Sequence, residues 1–462
     1  MNICQETVRI ASTHIGAETA TCANFLLDRC WLCCELLTLA AVLPCGDVTA
    51  ACIVTTTSKQ RSVNQSPIDV LIGADASSLS SHLQALRERL FPPSSKKELR
   101  RFTSGEAARL IGLSDSYLRQ ISLAGEGPKP DTGANRRRLY TLDQVNELRR
   151  HLATTASPGS KGRAYVPHRV ADEHLQILAV TNFKGGSGKT TTAAHLAQYL
   201  ALRGYRVLAV DLDPQASLSA LFGYQPEFDV QENETLYGAI RYDAERRPLS
   251  EVIRKNYFTG LDIVPANLEL HEFEHTTPKV LAEGGGAGDG IFFARVASTL
   301  ATAQDHYDVI VIDCPPQLGF LTLGALCAAT SVLVTVHPQM LDVASMSQFL
   351  FMASDLLHVV REAGGDLRFD FFRYLVTRYE PNDSPQTQIV AFLRSLFGDR
   401  VLTHPMVKST AVSDAGLTKQ TLYEVGRENF ARGTYDRALE ALDAVNNEIE
   451  ELIKQAWGRP SA

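Results

Sequence analysis

Between Thr181 and Leu196 the chain reads TNFKGGSGKTTTAAHL, and Gly185, Gly186, Ser187, Gly188, Lys189, Thr190 and Thr191 are the residue types that hold a polyphosphate. Glycines let successive backbone N–H groups turn towards phosphate oxygens with no side chain in the way. Lys189 is placed to neutralise the β- and γ-phosphates, and the Thr190 hydroxyl to reach a Mg2+ ion. The usual spacing, G-x-x-x-x-G-K-[ST], asks for a glycine where this chain has Phe183, and a second lysine, Lys184, follows it. Two carboxylate positions lie downstream. Asp211 and Asp213 stand in DLDPQ, and Asp313 closes VIVID before Cys314, Pro315 and Pro316. A carboxylate at a strand end beside a phosphate loop is where a Mg2+–water shell is held. Because the strand ends within DLD, Asp211 and Asp213 are expected to converge on the metal and the attacking water.

These residues need a scaffold that delivers three strand ends to one place. The runs LQILAVTN, YRVLAVDLD, LDIVPA, YDVIVIDCPP, SVLVTVHP and RYLVTRY are short, β-branched and separated by helical stretches. Buried parallel strands have this appearance, so residues 173–462 are expected to form a doubly wound, mostly parallel α/β domain. The phosphate loop follows one such strand and opens a helix whose N-terminus adds partial positive charge.

Upstream, residues 96–150 carry twelve Lys/Arg and seven Asp/Glu, although the 462-residue chain has net charge −7. Thr103-x-x-Glu106 reads as a capping box opening one helix, Gly112 breaks it, and Ser114 caps a second. GEGPKPDTGANRRRLY is a basic turn, and Thr141-x-x-Gln144 opens a third helix ending at Arg149-Arg150. Helix, turn, helix and basic loop have the layout of an all-α winged helix-turn-helix over 96–153. Ser116, Tyr117, Arg119 and Gln120 would face the major groove of DNA, and Arg136, Arg137 and Arg138 its phosphates. Residues 154–172 read as a linker. Residues 63–95 contain a helix at LSSHLQALRERL, a candidate for self-pairing. Residues 1–62 show no clean periodicity and are expected to be either an accessory segment or an extension placed too far upstream.

KGGSGKTT, DLDPQ and VIVIDCPPQLG together resemble the ParA family of deviant Walker-A ATPases, which segregate DNA. SLSSHLQALRERLFPPSSKKELRRFTSGEAARLIGLSDSYLRQ and VLVTVHPQMLDVASM are similar to the RepA partition proteins of repABC-type plasmids. The resemblance implies a weak Mg2+-dependent ATPase that pairs as a homodimer with ATP and binds DNA without sequence preference. It also implies stimulation by a ParB/RepB-type partner and a cytoplasmic, nucleoid-associated location. In that family the extra lysine, here Lys184, reaches the nucleotide of the other subunit. Asp213 would orient water, Asp211 and Asp313 would support Mg2+, and Lys408 would contact non-specific DNA. The basic module adds repression of its own operon. The alternative is a repressor that senses nucleotide without turning it over.

Other features are set aside on their own chemistry. HEFEH (271–275) has zinc-protease spacing, but Pro278 follows within a turn and is expected to cut the helix short. AEGGGAGDG follows no strand, and Cys30-x-x-Cys33 has no second pair. Cys314 and Cys327 would matter in an iron–sulfur reductase of the same superfamily, but Cys314 reads as a small buried residue. The C-terminal segment 436–462 has six acidic and three basic residues, so it should pack on the motor rather than bind anionic lipid. No membrane partner is expected.

Overall fold

The computed structural model describes residues 67–90, 97–133, 137–156, 165–170, 172–283, 292–365, 367–430 and 432–460. Two units are distinguished, Met1–Leu83 and Gln84–Ala462. The expectations for residues 1–62 lie outside the described residues. Helix α1 spans Ile68–Leu90 and so begins well before Leu79. Ile68, Val70, Ile72 and Leu79 along it are exposed.

In the second unit, local capping chemistry sets the first elements. Strand β1 (Phe102–Thr103) leads into α2 (Ser104–Ile111). The Thr103 N–H donates to Glu106 at 2.8 Å while the Glu106 N–H donates back to the Thr103 hydroxyl. Gly112 ends the helix at φ 83°, a conformation that costs little without a Cβ. Ser114 caps α3 (Asp115–Ala124) by accepting from Tyr117 N–H. Strands β2 (Asp131–Thr132) and β3 (Arg138–Tyr140) form a ribbon, and the Thr141/Gln144 box opens α4 (Leu142–Thr155). Each such cap contributes about 1 kcal/mol. The expectation of an all-α module is corrected here, because β1, β3 and β2 form a three-stranded antiparallel sheet. Strands of two or three residues are too short to show a period of two in sequence.

The six apolar runs become parallel strands β4 (Gln176–Thr181), β5 (Val207–Asp211), β7 (Leu261–Val264), β8 (Val309–Asp313), β9 (Ser331–Val336) and β10 (Phe371–Val376). A two-residue antiparallel edge, β6 (Arg254–Lys255), was not foreseen. The order β10-β9-β4-β8-β5-β7-β6 places β8 between β4 and β5, so the ends that carry the loop, Asp313 and Asp211 are neighbours. Chain reversal beside β4 makes this the topological switch point where such sheets bind ligands. Helix α5 (Lys189–Arg203) is buried along nearly its whole length, as expected for a helix set into the core.

Four further helices cover the sheet: α6 (His271–Ala282), α7 (Phe292–Ala301), α8 (Phe320–Ala328) and α9 (Met340–Glu362). Helix α6 runs through Pro278 instead of stopping before it. Helix α9 is long and apolar enough to cross a membrane by length and composition, and it leaves Met340, Leu341, Phe351 and Val359 exposed. After α10 (Ser384–Phe397) and α11 (Thr410–Leu417) comes α12 (Arg432–Ala456). Leu442, Ile449 and Ile453 of α12 are buried, and Glu450 accepts from Arg203, Tyr199 and Tyr205, so this acidic helix packs on the motor.

The basic module is joined to the α/β domain by polar contacts. Arg149, at 2% exposure, donates to the carbonyls of Leu110 and Leu202, which lie at the C-terminal ends of α2 and α5. Burial lowers its pKa to about 9, with Arg203 adding and Glu450 opposing. Lys97 donates to the carbonyls of Leu221 and Lys419 and pairs with Glu424 at 2.6 Å. Part of the stretch read as a linker is also fastened. His168 and the Arg169 N–H both meet Asp308, and Arg459 donates to the His168 carbonyl.

Candidate functional site

The loop at 184–191 leaves β4 and opens α5. Gly186 and Gly188 adopt φ of 75° and 85°, a backbone conformation that a residue with a Cβ takes up only under strain. Neighbouring strand ends brace the turn. Thr377 donates to the Ser187 carbonyl at 2.7 Å, and the Thr335 hydroxyl meets that of Ser187 at 3.0 Å. Arg378 donates to the Gly186 carbonyl at 3.0 Å and holds φ 52° without being glycine. Left-handed backbone at a non-glycine residue is a strain that sites of this kind retain. None of these three was foreseen. The signal for Thr377 and Arg378 was their position just past the end of a parallel strand.

Lys189 is buried, and its ammonium donates to the Lys184 carbonyl at 3.1 Å. Burial lowers its pKa, while Asp313, Cys314 and Asp213 oppose the shift. Asp313 is fully buried, and among the described residues neither of its carboxylate oxygens has a well-aligned hydrogen-bond partner, although the Thr190 hydroxyl lies near enough to act on it. Burial first, then Asp211, pushes its pKa well up, whereas Thr190 and Lys189 pull it down. A buried carboxylate next to a threonine hydroxyl fits a hard cation, which usually takes one or two carboxylates plus phosphate oxygens.

Asp211 is different. Its Oδ2 accepts from the Ser219 N–H and hydroxyl at 2.8 and 2.7 Å, and its Oδ1 accepts from the Asp213 N–H. Burial raises its pKa to about 7, and the hydrogen bonds from Ser219 oppose that rise. Asp211 and Asp213 therefore do not converge as expected. The strand still includes Asp211, whose side chain is captured inside, whereas Asp213 lies beyond its end and lines the open cavity.

That cavity, about 570 Å3, is bounded by the loop glycines, Thr190, Asp213, Arg378 and Lys408. Lys408 thus lines the same cavity as the phosphate loop and pairs with Glu380 at 2.8 Å. Lys184 does not line it. Its ammonium pairs instead with Asp342 in the first turn of α9. Cys314 is fully buried, and burial raises its thiol pKa.

On the basic module, α3 turns Leu118 and Ile121 inward and leaves Ser116, Tyr117, Arg119 and Gln120 exposed. A second concavity of about 540 Å3 brings Arg119 of α3 together with Arg137 and Arg138 of the ribbon. Arg119 is paired with Asp115 at 2.9 Å. Arg136 lies outside the described residues.

Residues 175–362 match the family described as AAA domain. A protein of Rhizobium rhizogenes named "Putative replication protein A" is 56% identical over 396 residues, covering 85% of this chain and 96% of that one. The chain belongs to the ParA family of partition ATPases. Protein SopA of Escherichia coli K12 is 32% identical over 373 residues, 79% of this chain and 92% of its own. A solved structure titled "Partition Protein" shares the fold, with a TM-score of 0.57 at 20% identity, over 82% of this chain and 98% of that one.

Proposed function

We propose that this ParA-family protein is a Mg2+-dependent ATPase that partitions a plasmid and represses its own operon. The observation that carries the reading is the buried carboxylate of Asp313, at the end of β8, beside Lys189, Thr190 and a loop shaped for phosphate. Gly185, Gly186, Ser187, Gly188 and Thr191 present backbone donors to the polyphosphate, and Lys189 neutralises its terminal oxygens. Thr190 and Asp313 would hold the metal, with Asp211 behind them and held in place by Ser219. Mg2+ held there would supply positive charge to offset the charge that develops on the leaving group. Asp213, facing the cavity, orients the attacking water.

Lys184 supplies its ammonium to the nucleotide of a second copy. One loop cannot easily aim two ammonium groups at one triphosphate, but two facing loops can exchange them. ATP then holds the homodimer together, and loss of the γ-phosphate loosens it. The dimer binds chromosomal DNA without sequence preference, through phosphate contacts that weaken with salt. A ParB/RepB-type centromere-binding partner stimulates hydrolysis and releases the dimer from the nucleoid in the cytoplasm. Separately, the 96–153 module acts as a winged helix-turn-helix that reads an operator with Ser116, Tyr117, Arg119 and Gln120, and grips phosphate with Arg136, Arg137 and Arg138.

The deciding experiment is ATP turnover with and without DNA and the ParB-type protein of the same operon. Turnover that rises when both are added supports the partition ATPase. No turnover under any condition, with operator binding intact, leaves a nucleotide-sensing repressor.

A further inference from the structure

The backbone of Lys184 is held from both sides. Its N–H donates to Asn182 Oδ1 at 3.0 Å, and its carbonyl accepts from the Lys189 ammonium at 3.1 Å. Asn182 is itself buried and anchored by donating to the Thr335 carbonyl. The peptide at 184 is therefore tethered in the single chain, while its side chain reaches outward to a partner. In the single chain that partner is Asp342. The Asp342 side chain is 6% exposed, whereas that of Lys184 is 42% exposed, so the pair has one buried carboxylate and one ammonium open to solvent. The other group facing Asp342 is His337, with Nδ1 3.2 Å from the second carboxylate oxygen. Burial lowers the His337 pKa, and Arg378 and Lys184 lower it further while Asp342 opposes. A neutral imidazole cannot replace the ammonium, so Lys184 is the cation that compensates this buried carboxylate.

We propose that Asp342 is a positioning residue that keeps Lys184 within its own subunit and must surrender it before two copies can clamp nucleotide. This rests on the trans assignment of Lys184 made above. An ammonium engaged by Asp342 is not available to a phosphate across an interface, so the two pairings compete for one side chain. The competition sets a threshold. A second loaded copy must offer Lys184 more than Asp342 does, which a triphosphate with its terminal phosphate can do better than a diphosphate. The latch thus raises the concentration at which two loaded copies pair, with no change in how either nucleotide sits in its own loop.

The test is sedimentation velocity of the full chain at saturating ATP across a range of protein concentrations, with ATP affinity measured alongside. Asp342→Asn removes the charge and keeps the shape. Its half-dimerisation concentration should fall about 5-fold, the size expected for losing a partly exposed ion pair. Asp342→Glu should return to the wild-type curve, and Lys184→Ala should abolish ATP-driven dimers whether or not Asp342→Asn is also present. A curve for Asp342→Asn that is unchanged, or shifted to higher concentration with ATP affinity retained, overturns the latch and leaves the trans lysine standing. Wild-type dimerisation by Lys184→Ala overturns the trans assignment itself. Should Asp342→Asn fail to bind ATP, Asp342→Ser is measured in its place against the same outcomes.

Discussion

Two cationic regions in this molecule use opposite physics. Around the phosphate loop, Lys189 and Asp313 are almost completely removed from water. On the basic module, the Arg119 side chain remains 64% exposed and Arg137 is exposed beside it. Buried charges interact strongly, shift one another's protonation and feel little screening. Exposed ones attract phosphate from a distance and lose most of that attraction in salt. The contrast fits the two tasks proposed above, with one region telling nucleotide states apart and the other capturing a long polyanion and letting it go.

The contrast can be broken most severely at the loop. Lys189→Ala should weaken ATP binding by about 100-fold, as expected for losing a buried charge-assisted contact, and calorimetry with ATP would measure it. Asp313→Asn should leave binding of nucleotide in EDTA close to wild type but erase the gain from Mg2+, with turnover down by about 100-fold in a phosphate-release assay. On the other region the effects are smaller and of a different kind. Tyr117→Ala should cost about 1–3 kcal/mol of operator affinity and relax the sequence preference. Arg137→Ala should weaken operator binding for all sequences alike and reduce the slope of log affinity against log salt by about 1. Titrations at several salt concentrations separate the two.

A further prediction concerns His195, which is fully buried on α5. Its Nδ1–H donates to the Thr191 carbonyl at 2.7 Å and its Nε2 accepts from the Leu422 N–H. Burial lowers its pKa to about 4, from an unfolded value near 6.5. Between those values the unfolded chain binds the extra proton, so His195 costs stability as pH falls from about 6.5 to about 4, up to roughly 3 kcal/mol. Asp211 acts with the opposite sign. Its raised pKa of about 7 means the folded state binds the proton first, which favours folding as pH falls through 7. Wild type should therefore show a shallow acid dependence, while His195→Gln should become more stable on mild acidification. Urea midpoints at pH 7.0, 6.0 and 5.0 read the difference directly (a choice of conditions spaced at about one unit within the window).

Much of this was open to inspection in the sequence, for a physical reason. The loop, Asp213, Asp313 and the three caps are local patterns, in which the chemistry needs particular residue types at fixed spacing. Parallel strands were visible because burial on both faces requires unbroken apolar runs. What stayed hidden depends on distant neighbours. Arg149 was expected at the end of its helix, but α4 continues to Thr155 and buries Arg149 against two carbonyls that lie 39 and 53 positions away in the chain. Thr377 and Arg378 brace loop residues 190 and 192 positions upstream. Asp211 matched the motif, yet Ser219 takes up its second oxygen. The short sheet in the basic module and the early start of α1 escaped because neither has enough residues of clear periodicity to announce itself.

The Arg149 seam has a consequence for geometry on the double helix. With α2 and α5 joined at their carboxyl ends, and Lys97 fixing the entry to the module, the helix proposed to read DNA, α3, has no elbow of its own. Whatever brings two motors face to face also dictates how far apart, and at what rotation, their two α3 helices stand. An operator for this protein should tolerate changes of sequence between its half-sites far better than the insertion of a few base pairs, since half a helical turn would carry one half-site to the opposite side of the duplex.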